Sequence, residues 1–333
     1  MTAPQHPSKT PVTLVTGFLG AGKTTLLNHV LATVPDRRFA VIENEFGNDG
    51  LDGSLEGVSR EAVFELNDGC VCCTVRQDLI DVFEGLLERP GEFDHIIIET
   101  TGLAEPGPVL RIFDLPSIRG GFRLDGVVTV VDAAHFEESL HEVEACEEQV
   151  TYADALILNK VDLLTDEQRK TVERRLAKLN PLASVVHAQQ ARVDAEALLT
   201  MGGRSASAVD AVPHHDHHHD HHHDDEHEHD DEIGAVAVST RSEVDLVTLD
   251  RWLGVLARGQ EPSLLRMKGI LAVPDDPRRF VFNGVRTVVD VRPDRPWGED
   301  ERCTRIVFIG RGLDAALLQS GLDRCCPDRL AGQ

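Results

Sequence analysis

The chain of 333 residues lacks any run of 18 or more apolar residues, so no transmembrane helix is expected. Residues 1–9 are polar and carry no apolar core segment, so no secretion signal is expected either. Cysteine is scarce. Seven in a chain this long are too few for a disulfide scaffold, and three of them cluster, which points to reduced thiols in a cytoplasmic protein. Positive charge is short as well: 33 Lys and Arg face 57 Asp and Glu, giving a formal charge of −24. Nine of the acids lie in residues 213–232, which hold no Lys or Arg, and the remainder is still strongly acidic. Such a surface repels nucleic acid and anionic membranes, so neither is an expected partner. What is present is a 41% hydrophobic and 27% charged composition, ordinary for a globular protein with a sizeable core. The length favours two domains.

Patterning divides the chain. Short Val/Ile/Leu-rich runs at 12–16, 39–42, 62–66, 96–98, 127–131, 155–158 and 183–188 read as buried strands. Helical spacing marks 24–34, 75–87 and 166–179. Continuous apolar strands separated by helices predict an α/β fold with a mostly parallel sheet covered on both faces. The pattern stops near residue 200. Residues 201–232 predict a flexible linker, because nothing there can bury a core. Beyond it, strands are expected at 235–240, 279–282, 286–291 and 305–309, with helices at 246–257 and 313–322. The expected organisation is a nucleotide-binding domain at 10–200, a His/Asp-rich linker at 201–232 and a small α+β domain at 233–327.

The strongest motif is Gly17-Phe-Leu-Gly20-Ala21-Gly22-Lys23-Thr24, followed by Thr25. It fits G-x-x-x-x-G-K-S/T between a strand and a helix, the context a phosphate-binding loop requires. Backbone N–H groups and the helix N-terminus would hold the phosphates, Lys23 would reach the β- and γ-phosphates, and the Thr24 hydroxyl would hold Mg²⁺. Gly20 and Gly22 let the backbone approach closely. Asn159-Lys160-Val161-Asp162 follows a strand and resembles the guanine-reading N-K-x-D. The Asp162 carboxylate would accept from guanine N1–H and N2–H₂, donors adenine lacks, so GTP is the expected nucleotide. A helix-capping Asp is the alternative. A second guanine segment is expected at 184–187. Glu99, three residues before Gly102, stands at a strand end where an acid could hold Mg²⁺ or cap the next helix, while the Gly102 N–H could sense the γ-phosphate. Leu103 stands where a Gln would orient water, and no arginine finger is evident, so intrinsic hydrolysis is expected to be slow.

Cys70, Cys72 and Cys73 form a C-x-C-C cluster before a helix. Three close thiols suit a soft or borderline ion such as Zn²⁺, and a shell one ligand short suits transfer. A redox pair and inert buried thiols are the alternatives. Glu43 and Glu45 could complete the shell, touch Mg²⁺, or belong to a polar loop held by Asn44. Residues 214–229 carry ten of the sixteen histidines, interleaved with acids. That tract could bind several ions weakly or serve as a solvated linker.

Five segments in order, Gly17–Thr25, Asn44–Gly47, Gly69–Cys73, Glu99–Gly102 and Asn159–Asp162, together resemble the CobW-type family of P-loop GTPases. Arg266-Met-Lys-Gly269, Trp297 and Phe308-Ile-Gly-Arg311 resemble its C-terminal domain more loosely. The resemblance implies GTP hydrolysis coupled to metal delivery. In the zinc-chaperone branch, zinc passes from cysteines matching Cys70, Cys72 and Cys73 to a client apo-metalloprotein. The CobW branch proper implies Co²⁺ instead. A metal-dependent homodimer is a further expectation. Rival classes are a metal buffer, which would leave the nucleotide motifs unused, and a small-molecule kinase, which would prefer ATP.

Overall fold

A computed structural model describes residues 9–43, 61–65, 74–200, 233–259 and 263–327. They fall into two compact units. One runs from residue 9 to Arg175 and from Ala183 to residue 200. The other takes Leu176–Leu182 and the residues from Ile233 onward.

The first unit is built on seven strands: β1 (Thr10–Thr16), β2 (Phe39–Glu43), β3 (Glu61–Glu65), β4 (His95–Glu99), β5 (Phe122–Asp132), β6 (Ala155–Asn159) and β7 (Ser184–His187). Their order is β3-β2-β4-β1-β5-β6-β7, and every pairing is parallel. β2, β4 and β6 are buried along their whole length. That is why they read as unbroken apolar runs rather than alternating ones. Helix α1 (Lys23–Thr33) buries Leu26, Leu27, Val30 and Leu31, one stripe at helical spacing, against Val41, Ile97, Val130 and Ile157 of the sheet. Helix α2 (Thr74–Leu87) leads into β4. Between β4 and β6 lie four helices that apolar spacing does not signal: α3 (Pro106–Leu110), α4 (Pro116–Gly121), α5 (Phe136–Glu142) and α6 (Glu144–Tyr152). Each is nine residues or fewer, too short for a periodic signature. Helices α7 (Asp166–Leu179) and α8 (Ala195–Leu199) flank β7.

The second unit is a five-stranded antiparallel sheet: β8 (Gly234–Thr240), β9 (Ser263–Ala272), β10 (Arg278–Val285), β11 (Val288–Pro296) and β12 (Thr304–Arg311), in the order β11-β10-β9-β12-β8. Helices Leu246–Arg258 and Ala315–Asp323 contribute Leu249, Leu253, Leu318 and Leu322 to a core with Met267, Phe282 and Phe308. Two expectations need correction. The central strand β9 is missing from the apolar-run reading because Arg266 and Lys268 interrupt the run, yet they are 0% and 4% exposed. A strand at 286–291 also starts too early. Residues 286–287 form the β10–β11 turn, with Arg286 at φ +50°.

Candidate nucleotide and metal site

Because the first sheet is all parallel, the segments that follow its strands gather at one edge, where ligands bind in such folds. The phosphate-binding loop leaves β1 there. Its glycines are dictated by crowding. A Cβ on Gly17 would sit 2.2 Å from the Val130 carbonyl oxygen of β5, and one on Gly22 would sit 2.6 Å from Asn159 Nδ2. Both adopt positive φ, as does Gly20. No Cβ contact crowds Gly20, so its need is the backbone conformation alone. Gly22 caps α1 without a side-chain hydrogen bond, and no acid occupies the first turn. The negative charge near the positive end of that helix comes from outside it, from the Glu99 carboxylate that Thr24 contacts. Lys23 is buried, and its Nζ donates to the Phe18 carbonyl oxygen at 3.3 Å, inside the loop itself.

On the phosphate side, Thr24 Oγ1 donates to Glu99 Oε1 at 2.9 Å. The two residues predicted to flank Mg²⁺ are thus brought together by β4. Glu99 is 6% exposed, and its strand position is fixed by register with Val15 of β1 and Glu43 of β2. Thr100 anchors the start of the next segment, its N–H donating to the Val15 carbonyl and its hydroxyl to Thr16 Oγ1 at 2.8 Å. Gly102 is buried against the phosphate-binding loop, where a Cβ would meet Leu19 N at 2.6 Å. Glycine is required there by close approach.

On the base side, a cavity of about 570 Å³ opens between Gly20, Gly22 and Thr25 of the loop and Asn159, Lys160 and Asp162 of the N-K-x-D segment. Asn159 is 3% exposed and uses both ends of its amide. Its Nδ2 donates to the Ala21 carbonyl oxygen and its Oδ1 accepts from Ala191 N–H, both at 2.9 Å. The residue therefore ties three segments together, and losing either bond would leave a buried polar group unsatisfied. Lys160 adopts φ +61° and its Nζ donates to Asp132 Oδ2 at 2.7 Å. Asp132 ends β5, directly opposite Asn159. Burial pushes its carboxyl up, but hydrogen bonds from Lys160, His135 and the Ala134 N–H outweigh that and hold it below the usual carboxylate range.

The far wall of the cavity corrects one expectation. Residues 184–187 are β7 itself, and the cavity is lined instead by Gln190 and Arg192 in the loop that follows. Gln190 and Ala191 both adopt positive φ, at +52° and +54°. Such conformations cost a non-glycine residue about 1 kcal/mol each, here offset by the Ala191 bond to Asn159. His29 lines the same cavity, its Nε2 2.8 Å from the Val193 carbonyl oxygen. Asp132, Gln190, Arg192 and His29 belong to no motif, so sequence pattern does not reveal them. Arg192 supplies a cation in an acidic chain, which is the one signal available.

On the metal side, Glu43 is placed at the end of β2 and is 7% exposed. It stands in register with Glu65, the last residue of β3, and with Glu99. Cys70, Cys72, Cys73 and Glu45 lie outside the described residues, as do residues 214–229. Among the described residues no group of three or more His, Cys, Asp or Glu could hold a metal ion.

Residues 11–187 match the family described as CobW/HypB/UreG, nucleotide-binding domain, and residues 233–326 match the cobalamin synthesis protein cobW C-terminal domain. The zinc chaperone CobW of Pseudomonas aeruginosa is 40% identical over 95% of this chain and 91% of its own. The zinc chaperone YjiA of Escherichia coli is 34% identical over 90% of this chain and 93% of its own. The crystal structure of Zn(II)-bound YjiA GTPase from E. coli superimposes with a TM-score of 0.69 at 29% identity, covering 96% of this chain and 99% of that one. The fold, the order of the motifs and these matches together make this chain a member of the CobW/HypB/UreG family that carries the CobW C-terminal domain.

Proposed function

We propose that the chain is a GTP-hydrolysing metallochaperone that binds zinc at Cys70, Cys72 and Cys73 and transfers it to a client metalloprotein under GTP control. One observation carries the nucleotide half: the phosphate-binding loop is tied on one side to the base cavity through Asn159 and on the other to Glu99 through Thr24. Gly17–Thr25 would wrap the phosphates, and Asp162 would select guanine over adenine by accepting two hydrogen bonds. Lys160 would lie along the base with its ammonium held by Asp132. Lys23 would exchange the Phe18 carbonyl for phosphate oxygens. The Thr24 hydroxyl and Glu99 carboxylate are hard oxygen donors that suit Mg²⁺, which when bound neutralises charge on the β- and γ-phosphates. Leu103 follows Gly102 and is 56% exposed, and it has no polar group to orient water. Turnover by the protein alone is therefore slow, well below tens per second.

The metal half rests on the zinc-chaperone relatives and on topology. Glu43 ends β2 beside β3, and the cysteine cluster follows β3 in the chain. Glu43 and Glu45 would supply oxygen ligands beside the thiols. The working layout is a GTPase domain at 10–200, a linker at 201–232 and a second domain at 233–327, in a cytoplasmic protein. The partner is a client apo-metalloprotein, and a metal-dependent homodimer is the oligomeric form to look for. GTP would order Glu43–Gly47, Glu99–Gly102 and the thiol loop together, and hydrolysis would relax them and release zinc. Linkage then requires that zinc tighten GTP binding by the factor with which GTP tightens zinc binding. The test is zinc affinity by chelator competition, with a GTP analogue and with GDP, on a chain lacking residues 213–232. A large difference that disappears in Cys72→Ser supports the reading. Equal affinity in both nucleotide states removes it.

A further inference from the structure

We propose that Gln149 is a positioning residue that holds the segment after β4, Thr100–Ala104, against the phosphate-binding loop and so sets affinity for GTP without affecting GDP. The inference rests on the GTPase reading above and adds a residue that no motif contains.

Gln149 lies on α6, 1% exposed, its backbone carbonyl accepting from Thr129 Oγ1 of β5 at 2.6 Å. Its side-chain Nε2 donates to two backbone carbonyls of the segment after β4, Gly102 and Ala104, each at 3.1 Å. The amide orientation is forced, because a carbonyl in that place would face two other oxygens. Gly102 is already docked on the loop, with Leu19 filling the space its Cβ would occupy. The two bonds therefore hold Gly102 where its N–H can meet a γ-phosphate, before any nucleotide arrives. GDP has no γ-phosphate, so its binding should not depend on them.

A second observation separates this role from packing. Gln149 Oε1 is buried with no hydrogen-bond partner among the described residues. An orphaned buried acceptor destabilises the fold, and a methionine of similar shape would remove it. What offsets that cost is the hold on Gly102 and Ala104.

The experiment uses the full chain and the variants Gln149→Met and Gln149→Glu. Affinities for a non-hydrolysable GTP analogue and for GDP are measured calorimetrically with Mg²⁺, alongside kcat, KM and the thermal midpoint. Losing two neutral hydrogen bonds should lower GTP-analogue affinity and kcat/KM by about tenfold in Gln149→Met. GDP affinity should stay within about twofold even though the thermal midpoint falls somewhat, because the buried Gly102 carbonyl loses its donor. Gln149→Glu keeps the shape but sets a carboxylate against two carbonyls, so its loss for the GTP analogue should be the larger. Equal losses for both nucleotides or no loss for either would each overturn the proposal. Wild-type protein that neither prefers guanine nor hydrolyses GTP would instead overturn the GTPase reading. That outcome is distinct, because failure of the Gln149 proposal leaves wild-type activity intact.

Discussion

The two sides of the phosphate-binding loop are held in different ways. On the base side the bonds are ones a nucleotide need not disturb. Asn159 spends both amide ends on Ala21 and Ala191, and Lys160 is tethered to Asp132. On the phosphate side the bonds join groups that the nucleotide would recruit on the proposed reading. The Thr24 hydroxyl now donates to Glu99, and the Lys23 ammonium now donates to Phe18. A fixed side can recognise which base is present, whereas an exchangeable side can read how many phosphates follow it. The division makes a quantitative demand. Changes on the base side should alter GTP and GDP affinity equally, and changes on the phosphate side should not.

The largest effect expected is from Asp162→Asn. On the proposed reading it replaces an acceptor of two hydrogen bonds from guanine with a group that presents a donor. Loss of two charge-assisted bonds should cost about 3–4 kcal/mol, roughly 100- to 1,000-fold in affinity. Calorimetry should find the same loss for GTP and GDP within about twofold. A loss confined to GTP would break the division at its base side.

Next is Glu99→Gln. The amide still accepts from Thr24 but cannot offer a charged ligand beside it. The expected result is a fall in kcat for GTP of about 100-fold, the scale at which removal of one electrostatic contributor acts. GDP affinity measured without Mg²⁺ should be unchanged. A matched fall in metal-free GDP affinity would mean that Glu99 shapes the loop itself, and the phosphate side would then be as fixed as the base side.

These residues differ in how far they can be seen from sequence, and the reason is locality. Gly17–Thr25 and Asn159–Asp162 are contiguous motifs of fixed spacing, so the pattern marks them even though Asn159 and Lys160 bond partners far away in the chain. Glu99 is marked by the strand it ends and by Gly102 three residues on. Asp132 and Gln149 act on partners 28 and 45–47 residues away, and no spacing rule links them. The guanine-side loop at 190–192 is hidden because its conformation, not its composition, makes the wall: two non-glycine residues take positive φ under the hold of Asn159. The same contrast separates the two sheets. The parallel strands are legible because burial on both faces demands apolar residues throughout. β9 is not, because buried Arg266 and Lys268 look like surface positions.

The smallest effect expected tests the outermost part of the base side. Asp132→Asn removes the charge that holds Lys160 Nζ at 2.7 Å while leaving an acceptor in place. The Asp132 side chain is 10% exposed and that of Lys160 34%, so the pair is only partly screened and its loss should cost about 1 kcal/mol. Affinity for GTP and GDP should fall together, by about fivefold. The pH dependence has a definite sign. The folded-state pKa of Asp132 is lowered, so the carboxylate and its hold on Lys160 persist above the ordinary Asp range and are lost only as pH falls below it. Between pH 5 and 8 the wild-type advantage over Asp132→Asn should therefore stay constant, near that fivefold figure. An advantage that fades within that window would place the control outside Asp132.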